Sequence, residues 1–128
     1  MSSSRHTDVV CLDFKMALDS VAHNELLVKL WNFGITGSLW HWFRGYLSCR
    51  SVCVWVNHMT SSLLPVISGV PQGSILGPLL FVVFINELPL SLSSSHLLIF
   101  AEDTKCLKQI NEVEDYSALQ QDLHNLTL

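Results

Sequence analysis

The first third of the chain changes from strand-like to helix-like hydrophobic spacing. An apolar run at residues 9–14 predicts a short buried strand. A helix is expected next, with Asn24 as its N-cap and Gly34 as its stop. A second helix is expected behind Ser38 as its cap. The apolar stripes are Leu26, Leu27, Leu30 and Trp31 in the first helix, and Leu39, Trp42, Phe43, Tyr46 and Leu47 in the second.

The middle of the chain returns to strand-like spacing and then becomes continuously apolar. Residues 52–56 predict one strand, with Asn57 opening a turn. A long apolar helix is expected over residues 74–88. Two short strands, at residues 97–101 and 104–107, are expected around a tight acidic turn.

The end of the chain carries the sequence signature of a helix start. Asn111 with Glu114 matches a capping box, which predicts a last helix. The predicted order is therefore β-α-α-β-(β)-α-β-β-α, which favours an α+β fold with helices on one face of a sheet. The apolar stripe of the last helix is Tyr116, Leu119, Leu123 and Leu126.

Tryptophan positions divide into stripe and off-stripe sites. Trp31, Trp42 and Trp55 fall on core-facing positions and are expected to be buried, although tryptophan also stacks on nucleic-acid bases. Trp40 lies off the stripe and is expected to face a partner outside this segment.

Composition indicates a single folded domain that normally packs on something else. Of 128 residues, 49% are hydrophobic and only 14% are charged, against about a quarter charged in a typical soluble domain. The longest apolar run, residues 75–85, is broken by Gly77 and Pro78 and is too short to span a bilayer. No signal peptide is evident, so an intracellular place is expected, in the nucleus or cytoplasm, with the four cysteines as reduced thiols.

The net charge is −4, which argues against a protein that grips nucleic acid through its own surface. A negative net charge is compatible with nucleic-acid binding if metal ions contact the phosphates and the basic residues that bind the backbone lie in other segments.

Carboxylates lie at the predicted strand ends. Asp13 ends the first apolar run, and Glu102 and Asp103 lie between the two last strands. Neighbouring carboxylates repel each other unless a hard cation neutralises them, and Mg²⁺ prefers oxygen ligands. Solvated turn acids are the simpler interpretation of the spacing alone. Asp19 lies beyond the strand end and is expected to point away from Asp13 and the acidic turn.

A stretch rich in glycine and proline precedes the long helix. Glycine there permits close approach of backbone to a ligand, although an ordinary loop and helix start has the same composition. The P-loop ending of Gly-Lys-Ser/Thr is missing. The residues are Gly69, Pro71, Gly73, Gly77 and Pro78.

Three segments resemble motifs of the reverse transcriptases of non-LTR retrotransposons, especially the jockey-like and CR1-like elements. The resemblance covers residues 8–128 and leaves residues 1–7 as a short polar segment. It implies a partial polymerase palm from a fingers-palm-thumb enzyme, an RNA-directed DNA polymerase. The implied palm is a small, mostly antiparallel sheet with helices packed on one face. The matching strings are Ser68-Gly69-Val70-Pro71-Gln72-Gly73-Ser74-Ile75-Leu76-Gly77-Pro78-Leu79-Leu80-Phe81 for the B motif, Leu12-Asp13-Phe14 with Ala17-Leu18-Asp19 for the A motif, and Phe100-Ala101-Glu102-Asp103-Thr104-Lys105 for the C motif.

The resemblance implies a two-metal site for nucleotidyl transfer. Asp13 matches the aspartate that binds both ions, Glu102 stands where a first C-motif aspartate completes the site, and Asp103 matches the supporting second aspartate. The implied ion is Mg²⁺, with Mn²⁺ as the alternative.

It also implies a nucleotide pocket. Gln72 and Gly73 match residues that line the pocket of the incoming nucleotide. Leu18 stands at the steric gate, where the family has an aromatic ring that excludes the ribose 2′-hydroxyl.

Departures from the family pattern reduce the expected activity. Glu102 replaces an aspartate and adds a methylene, and Lys15, Met16 and Leu18 also differ. The implied partners are an RNA template with a DNA primer and deoxynucleotides, and the fingers, thumb and endonuclease segments are expected to lie outside this sequence. The chain is therefore expected to be inactive alone. The alternatives are a decayed relic and a non-catalytic interaction domain built on the palm.

Overall fold

The computed structural model describes residues 5–14, 16–100 and 103–126, in two compact units. Of the described residues, those up to 14 and from 85 onwards form the first unit, and Met16–Phe84 form the second. Lys15 and Glu102 lie outside the described residues. The elements are β1 (His6–Asp13), α1 (His23–Asn32), α2 (Gly37–Leu47), β2 (Ser51–Val52), β3 (Trp55–Val56), β4 (Met59–Thr60), β5 (Leu64–Pro65), α3 (Leu76–Ile85), a 3₁₀ turn (Leu88–Ser91), β6 (His96–Phe100), β7 (Asp103–Ile110) and α4 (Glu114–Asn125).

The first unit is an antiparallel sheet in the order β1-β7-β6, and α4 packs against β7. Alternate residues of β7 are buried because successive side chains point to opposite faces of a strand. One face is therefore covered by the core and the other is open. The core cluster is Cys106, Leu119 and Leu126, with Val10, Leu12, Leu88, Leu92, Leu97 and Leu123 packed around it. The predicted terminal hairpin, last helix and α+β class are confirmed.

A buried carboxylate ties α4 to the serine loop before β6. Asp122 is fully buried. Its oxygens accept the backbone N–H groups of Ser93 at 2.8 Å, Ser94 at 3.1 Å and Ser95 at 2.9 Å. The hydroxyls of Ser93 and Ser94 each donate a further bond at 3.0 Å. Burial alone raises the pKa of Asp122, but these bonds outweigh it and hold that pKa well below its usual range.

Replacing Asp122 by Asn should destabilise the first unit by about 3 kcal/mol at pH 7, since several donors lose a charged acceptor. The folded-state pKa lies below the unfolded value of about 3.9, so this stabilisation is complete above that pH and is lost as pH falls through the folded pKa. In urea unfolding followed by far-UV circular dichroism, the gap between wild type and variant should therefore narrow from pH 7 to pH 3. The exposed Glu112→Gln serves as the control, and a pH-independent gap would contradict the assignment.

The second unit is built on α1 and α2, with a short hydrogen bond between them. The indole Nε1 of Trp40 donates to the carbonyl oxygen of Leu27 at 2.9 Å. Trp40 is therefore partly buried against α1, and the expectation that it faces a partner outside this segment stays a prediction. The buried side chains of the unit are Ala17, Val21, Leu26, Leu27, Leu30, Phe43, Leu47, Val70, Leu80, Phe81 and Phe84.

The other three tryptophans differ from expectation. Trp31, Trp42 and Trp55 are 53%, 51% and 66% exposed, so their prediction as core residues is wrong. The buried stripe of α2 is narrower than the apolar stripe in its sequence, because only Phe43 and Leu47 of that helix are buried.

The single strand predicted at residues 52–56 is wrong. Val52 pairs with Leu64 in one two-stranded ribbon, and Trp55 pairs with Thr60 in another. The Asn57-His58 turn has φ values of 48° and 62°, which fold the second ribbon into a tight hairpin. The chain therefore changes partner within the apolar run, and periodicity does not reveal such a change.

The predicted caps of the first two helices are also displaced. Ala22 is the N-cap of α1 and Thr36 that of α2, and neither side chain makes a capping bond. Asn24 and Ser38 lie inside the helices instead. Gly34, with φ of 89°, does follow the end of α1 as expected.

The capping box at α4 is replaced by a different local contact. Oδ2 of Asp115 accepts the backbone N–H groups of Asn111 at 2.8 Å and Glu112 at 3.0 Å. Asp115, rather than Glu114, therefore fixes the approach to the helix. In the described part of the chain, no helix combines the length and apolarity needed to cross a bilayer.

Candidate catalytic site

Two of the predicted metal ligands are direct cross-strand partners. Asp13 is the last residue of β1, and the register pairs it with Asp103, the first residue of β7. Their neighbours Leu12 and Thr104 face the covered side, so both carboxylates project from the open face. Directly opposite residues of an antiparallel pair have Cβ atoms about 4.5–5.5 Å apart. The topology thus brings together two residues ninety positions apart in sequence.

The arrangement concentrates negative charge at one edge of the sheet. Both carboxylates are exposed, and like charges directly opposite each other repel. A depression of about 360 Å³ lies beside Asp103. A hard cation that binds oxygen ligands would relieve the repulsion, so the donor chemistry of this pair fits a divalent metal. The depression is lined by Leu98, Ile99, Phe100, Asp103 and Lys105.

The third predicted ligand, Glu102, lies outside the described residues, and its approach to Asp13 stays a prediction. Among the described residues, no group of three or more His, Cys, Asp or Glu side chains is arranged to hold a metal ion.

In the second unit, the predicted B-motif loop is hydrogen-bonded to the turn that carries the second part of the A motif. Three hydrogen bonds of 2.8 Å join the two segments, one from a side chain and two between backbone groups. They run from Ser68 Oγ to the Asp19 carbonyl, from Gly69 N–H to the Val21 carbonyl, and from Val70 N–H to the Leu18 carbonyl. We call the joined segments, residues 16–21 and 68–72, the motif clasp. Parts of two sequence motifs therefore form one local structure.

Gly69 makes the closest contact in the motif clasp. Its φ is 87°, and a Cβ placed on it would lie 2.8 Å from both the Cα and the carbonyl oxygen of Asp19. Its own carbonyl oxygen lies 2.7 Å from Nε2 of His23. The sequence leaves two interpretations of the B-motif glycines open, close approach to a ligand and an ordinary loop before a helix. At Gly69 the close neighbour is instead the chain itself.

Gln72 and Asp19 share an open cleft of about 500 Å³. The side-chain Nε2 of Gln72 donates to Oδ1 of Asp19 at 2.8 Å. Asp19, expected to point elsewhere, is thus in direct contact with a predicted nucleotide-pocket residue. Gly73 has φ of 75° and open space around it, while Leu18 is half-buried. The cleft is lined by Met16, Asp19, Arg50, Ser51, Val52, Pro65, Val66, Ile67, Ser68, Gly69, Val70, Pro71 and Gln72.

Two contacting residues escape prediction from the sequence, namely Asp19 as a partner of Gln72 and Asp122 as the anchor of the serine loop. Each partner pair is 53 or 29 positions apart, and nothing local indicates the pairing. The implied roles of Gln72 and Gly73 in the nucleotide pocket stay predictions.

Comparison with known proteins gives concordant matches. Residues 2–126 match the family model for reverse transcriptase (RNA-dependent DNA polymerase). The chain is 38% identical over 78 residues to the RNA-directed DNA polymerase from mobile element jockey of Drosophila melanogaster, covering 61% of this chain and 8% of that protein. It is 32% identical over 118 residues to the jockey polymerase of Drosophila funebris, covering 86% of this chain and 13% of that protein. A probable RNA-directed DNA polymerase from transposon X-element of Drosophila melanogaster is 29% identical over 119 residues, covering 91% of this chain and 13% of that protein.

Proposed function

The chain belongs to the reverse transcriptase (RNA-dependent DNA polymerase) family, and we propose that it forms the catalytic palm part of a retrotransposon polymerase. Its relatives are named RNA-directed DNA polymerases, and its α+β architecture agrees with a palm. The chain spans 8–13% of the length of the relatives it matches. The remaining polymerase parts, including the fingers, the thumb and an endonuclease, would then come from other segments.

The pairing of Asp13 with Asp103 is the observation that carries this proposal. These two carboxylates, with Glu102, would hold two Mg²⁺ ions, or Mn²⁺ as the alternative. Such ions supply charge stabilisation to the attacking and leaving oxygens of a phosphoryl transfer. The open face of the sheet leaves room for the substrate oxygens that must complete the coordination.

Three residues of the second unit would receive the incoming nucleotide. Gln72 and Gly73 would line its pocket, with Gln72 already at the edge of an open cleft. Leu18 would stand beside the sugar. The proposed substrates are an RNA template, a DNA primer and deoxynucleotides, and the proposed place is the nucleus or cytoplasm.

The distribution of charge supports nucleic acid as the partner better than the net charge does. Residues 26–86 contain no Asp or Glu, yet they carry Lys29, Arg44 and Arg50. All eleven acids therefore lie in the remaining segments, which include the proposed metal ligands. The net charge of −4 is a sum over two dissimilar parts, and only one of them is acidic.

A Mn²⁺ titration of the whole chain tests the metal proposal. Paramagnetic broadening in amide NMR spectra should appear first around Asp13 and Asp103, since paired carboxylates bind a divalent ion better than single ones. Asp103→Asn should weaken the broadening at Asp13. Glu112→Gln, which removes an exposed carboxylate elsewhere in the first unit, should leave it unchanged. Equal broadening at every exposed acid would refute the site.

The second candidate is a non-catalytic interaction domain, favoured by exposed apolar side chains. Ile75, Ile67 and Leu90 are 95%, 84% and 82% exposed. Such surface fits a partner protein, and it equally fits packing on the rest of a larger polymerase. The metal titration separates the two, because an interaction domain has no reason to bind ions selectively between Asp13 and Asp103.

Leu18 should relax the choice between ribonucleotides and deoxyribonucleotides. The test uses a chimera, the Drosophila funebris jockey polymerase carrying residues 5–126 of this chain with Glu102→Asp. Restoring a ring with Leu18→Phe should increase discrimination against ribonucleotides roughly 10–100-fold, since a filled pocket rejects an added hydroxyl by steric conflict. The measurement is the ratio of kcat/KM for the two sugars. Equal ratios for Leu and Phe would show that residue 18 is not the gate.

A further inference from the structure

Asp19 presents its carboxylate from a rigid base. Its backbone N–H donates to the Met16 carbonyl at 2.9 Å, and its own carbonyl accepts the Ser68 hydroxyl at 2.8 Å. Gly69 packs against the same peptide unit so closely that a methyl group would not fit. The backbone of residue 19 is therefore fixed on two sides by the motif clasp, while its side chain reaches into the cleft.

The bond from this carboxylate to Gln72 has a direction. The two ends of a glutamine amide have nearly the same shape, and only the hydrogen-bonding partner decides which end faces it. An ionised carboxylate accepts and cannot donate, so the Nε2 end must face Asp19. Oε1 and the second N–H of Nε2 are thereby directed away from Asp19.

The stability of the protein does not require this bond. Both side chains are exposed, and a single hydrogen bond adds on the order of 1 kcal/mol to folding. The motif clasp is already closed by its backbone bonds and by Ser68. The hydrogen bond instead orders the flexible Gln72 side chain at the edge of the cleft before any ligand binds.

We propose that Asp19 is a positioning residue, which holds the Gln72 amide in one orientation for the incoming nucleotide. The inference rests on the proposed function, which places Gln72 in the nucleotide pocket. Ordering a long side chain on binding costs about 0.5–1.5 kcal/mol. A side chain ordered in advance avoids that cost, so Asp19 lowers the KM for the nucleotide and leaves kcat nearly unchanged.

Steady-state kinetics in the chimera test the proposal. Asp19→Ala should raise the KM for deoxynucleotides roughly 3–10-fold, from that ordering cost, with little change in kcat. Asp19→Asn keeps an acceptor oxygen but also gains a donor, so the amide can flip and the effect should be intermediate. Glu25→Gln, which removes another exposed carboxylate of the second unit, should leave KM unchanged.

A double-mutant cycle distinguishes positioning from an independent role. If Asp19 acts through Gln72, Asp19→Ala combined with Gln72→Ala should give the KM of Gln72→Ala alone. Additive effects would overturn the proposal, as would a fall in kcat at unchanged KM. Circular dichroism of each variant should remain that of the parent.

A second measurement, on the 128-residue chain, keeps the inference testable where the chimera is inactive and the proposed function fails. The side-chain amide of Gln72 should show restricted motion in ¹⁵N relaxation, lost in Asp19→Ala. In Asp19→Asn, the amide should exchange between two environments. A Gln72 amide that is equally mobile with and without the Asp19 carboxylate would refute the positioning role, whatever the protein catalyses.

Discussion

Asp13→Asn in the jockey chimera should reduce nucleotide incorporation on the order of 10³-fold, the upper range for loss of one charge-stabilising group at a reacting centre. Asparagine keeps the size of the side chain and removes the charge that opposes Asp103 across β1 and β7. The remaining carboxylates would hold the ions less tightly and farther from their reacting positions. A displacement of about 1 Å alone costs on the order of 10²-fold. Single-nucleotide primer extension under saturating Mg²⁺ measures the loss.

The matched control is Asp8→Asn, the same substitution on the same strand. Asp8 lies on the other face of β1 from Asp13 and pairs with Lys108 across β1 and β7. Its Oδ1 lies 3.3 Å from Nε2 of His6. Asp8→Asn should change incorporation less than about 3-fold, the effect of losing about 0.6 kcal/mol from a surface ion pair. Equal losses in the two variants would mean that the sheet, rather than a metal site, responds to the substitution.

Gly69→Ala should destabilise the second unit by about 3–5 kcal/mol. About 1–2 kcal/mol arises from a non-glycine residue at φ of 87°, and the rest from overpacking against Asp19. The two atoms at 2.8 Å are backbone atoms, so no side-chain rotation relieves the contact. All four tryptophans lie in residues 16–84, and urea unfolding followed by their fluorescence therefore reports on this unit.

Gly37→Ala separates the two causes. Gly37 also has positive φ, 62°, but nothing lies within 4 Å of the added methyl group. That variant should lose only about 1–2 kcal/mol. If the two alanine variants unfold at the same urea concentration, close packing in the motif clasp contributes nothing measurable.

The sequence predicted the strands of the first unit well, because their signal is local. The run at residues 9–14 and the two strands around residues 101–102 have apolar residues that alternate or continue over strand length. Once those strands pair, the opposition of Asp13 and Asp103 follows from their places at the strand ends. The motif resemblance selected these two carboxylates and Glu102 among eleven acids, and Glu102 lies outside the described residues.

What escaped prediction depends on the identity of distant partners. Alternation shows that residues 52–56 favour extended backbone, but the division between two ribbons depends on Leu64 and Thr60. An apolar stripe shows which side of α2 is favourable to bury, yet the segments that are present leave Trp42 half exposed. Likewise, nothing in the sequence distinguishes Asp122 and Asp19 from other acidic residues, because their partners lie in distant loops.

The close contact between Gly69 and Asp19 also bears on how such a sequence drifts over generations. A glycine inside a polymerase motif invites the assumption that selection for DNA synthesis preserves it. Here, selection for a folded chain is enough, because any larger residue at that position strains the motif clasp. An inactive copy that is still required to fold would therefore keep Gly69, while the exposed carboxylates of Asp13 and Asp103, which oppose folding by repulsion, would be free to change. The joint presence of Asp13 and Asp103 is therefore a better record of retained chemistry than the glycine of the motif clasp.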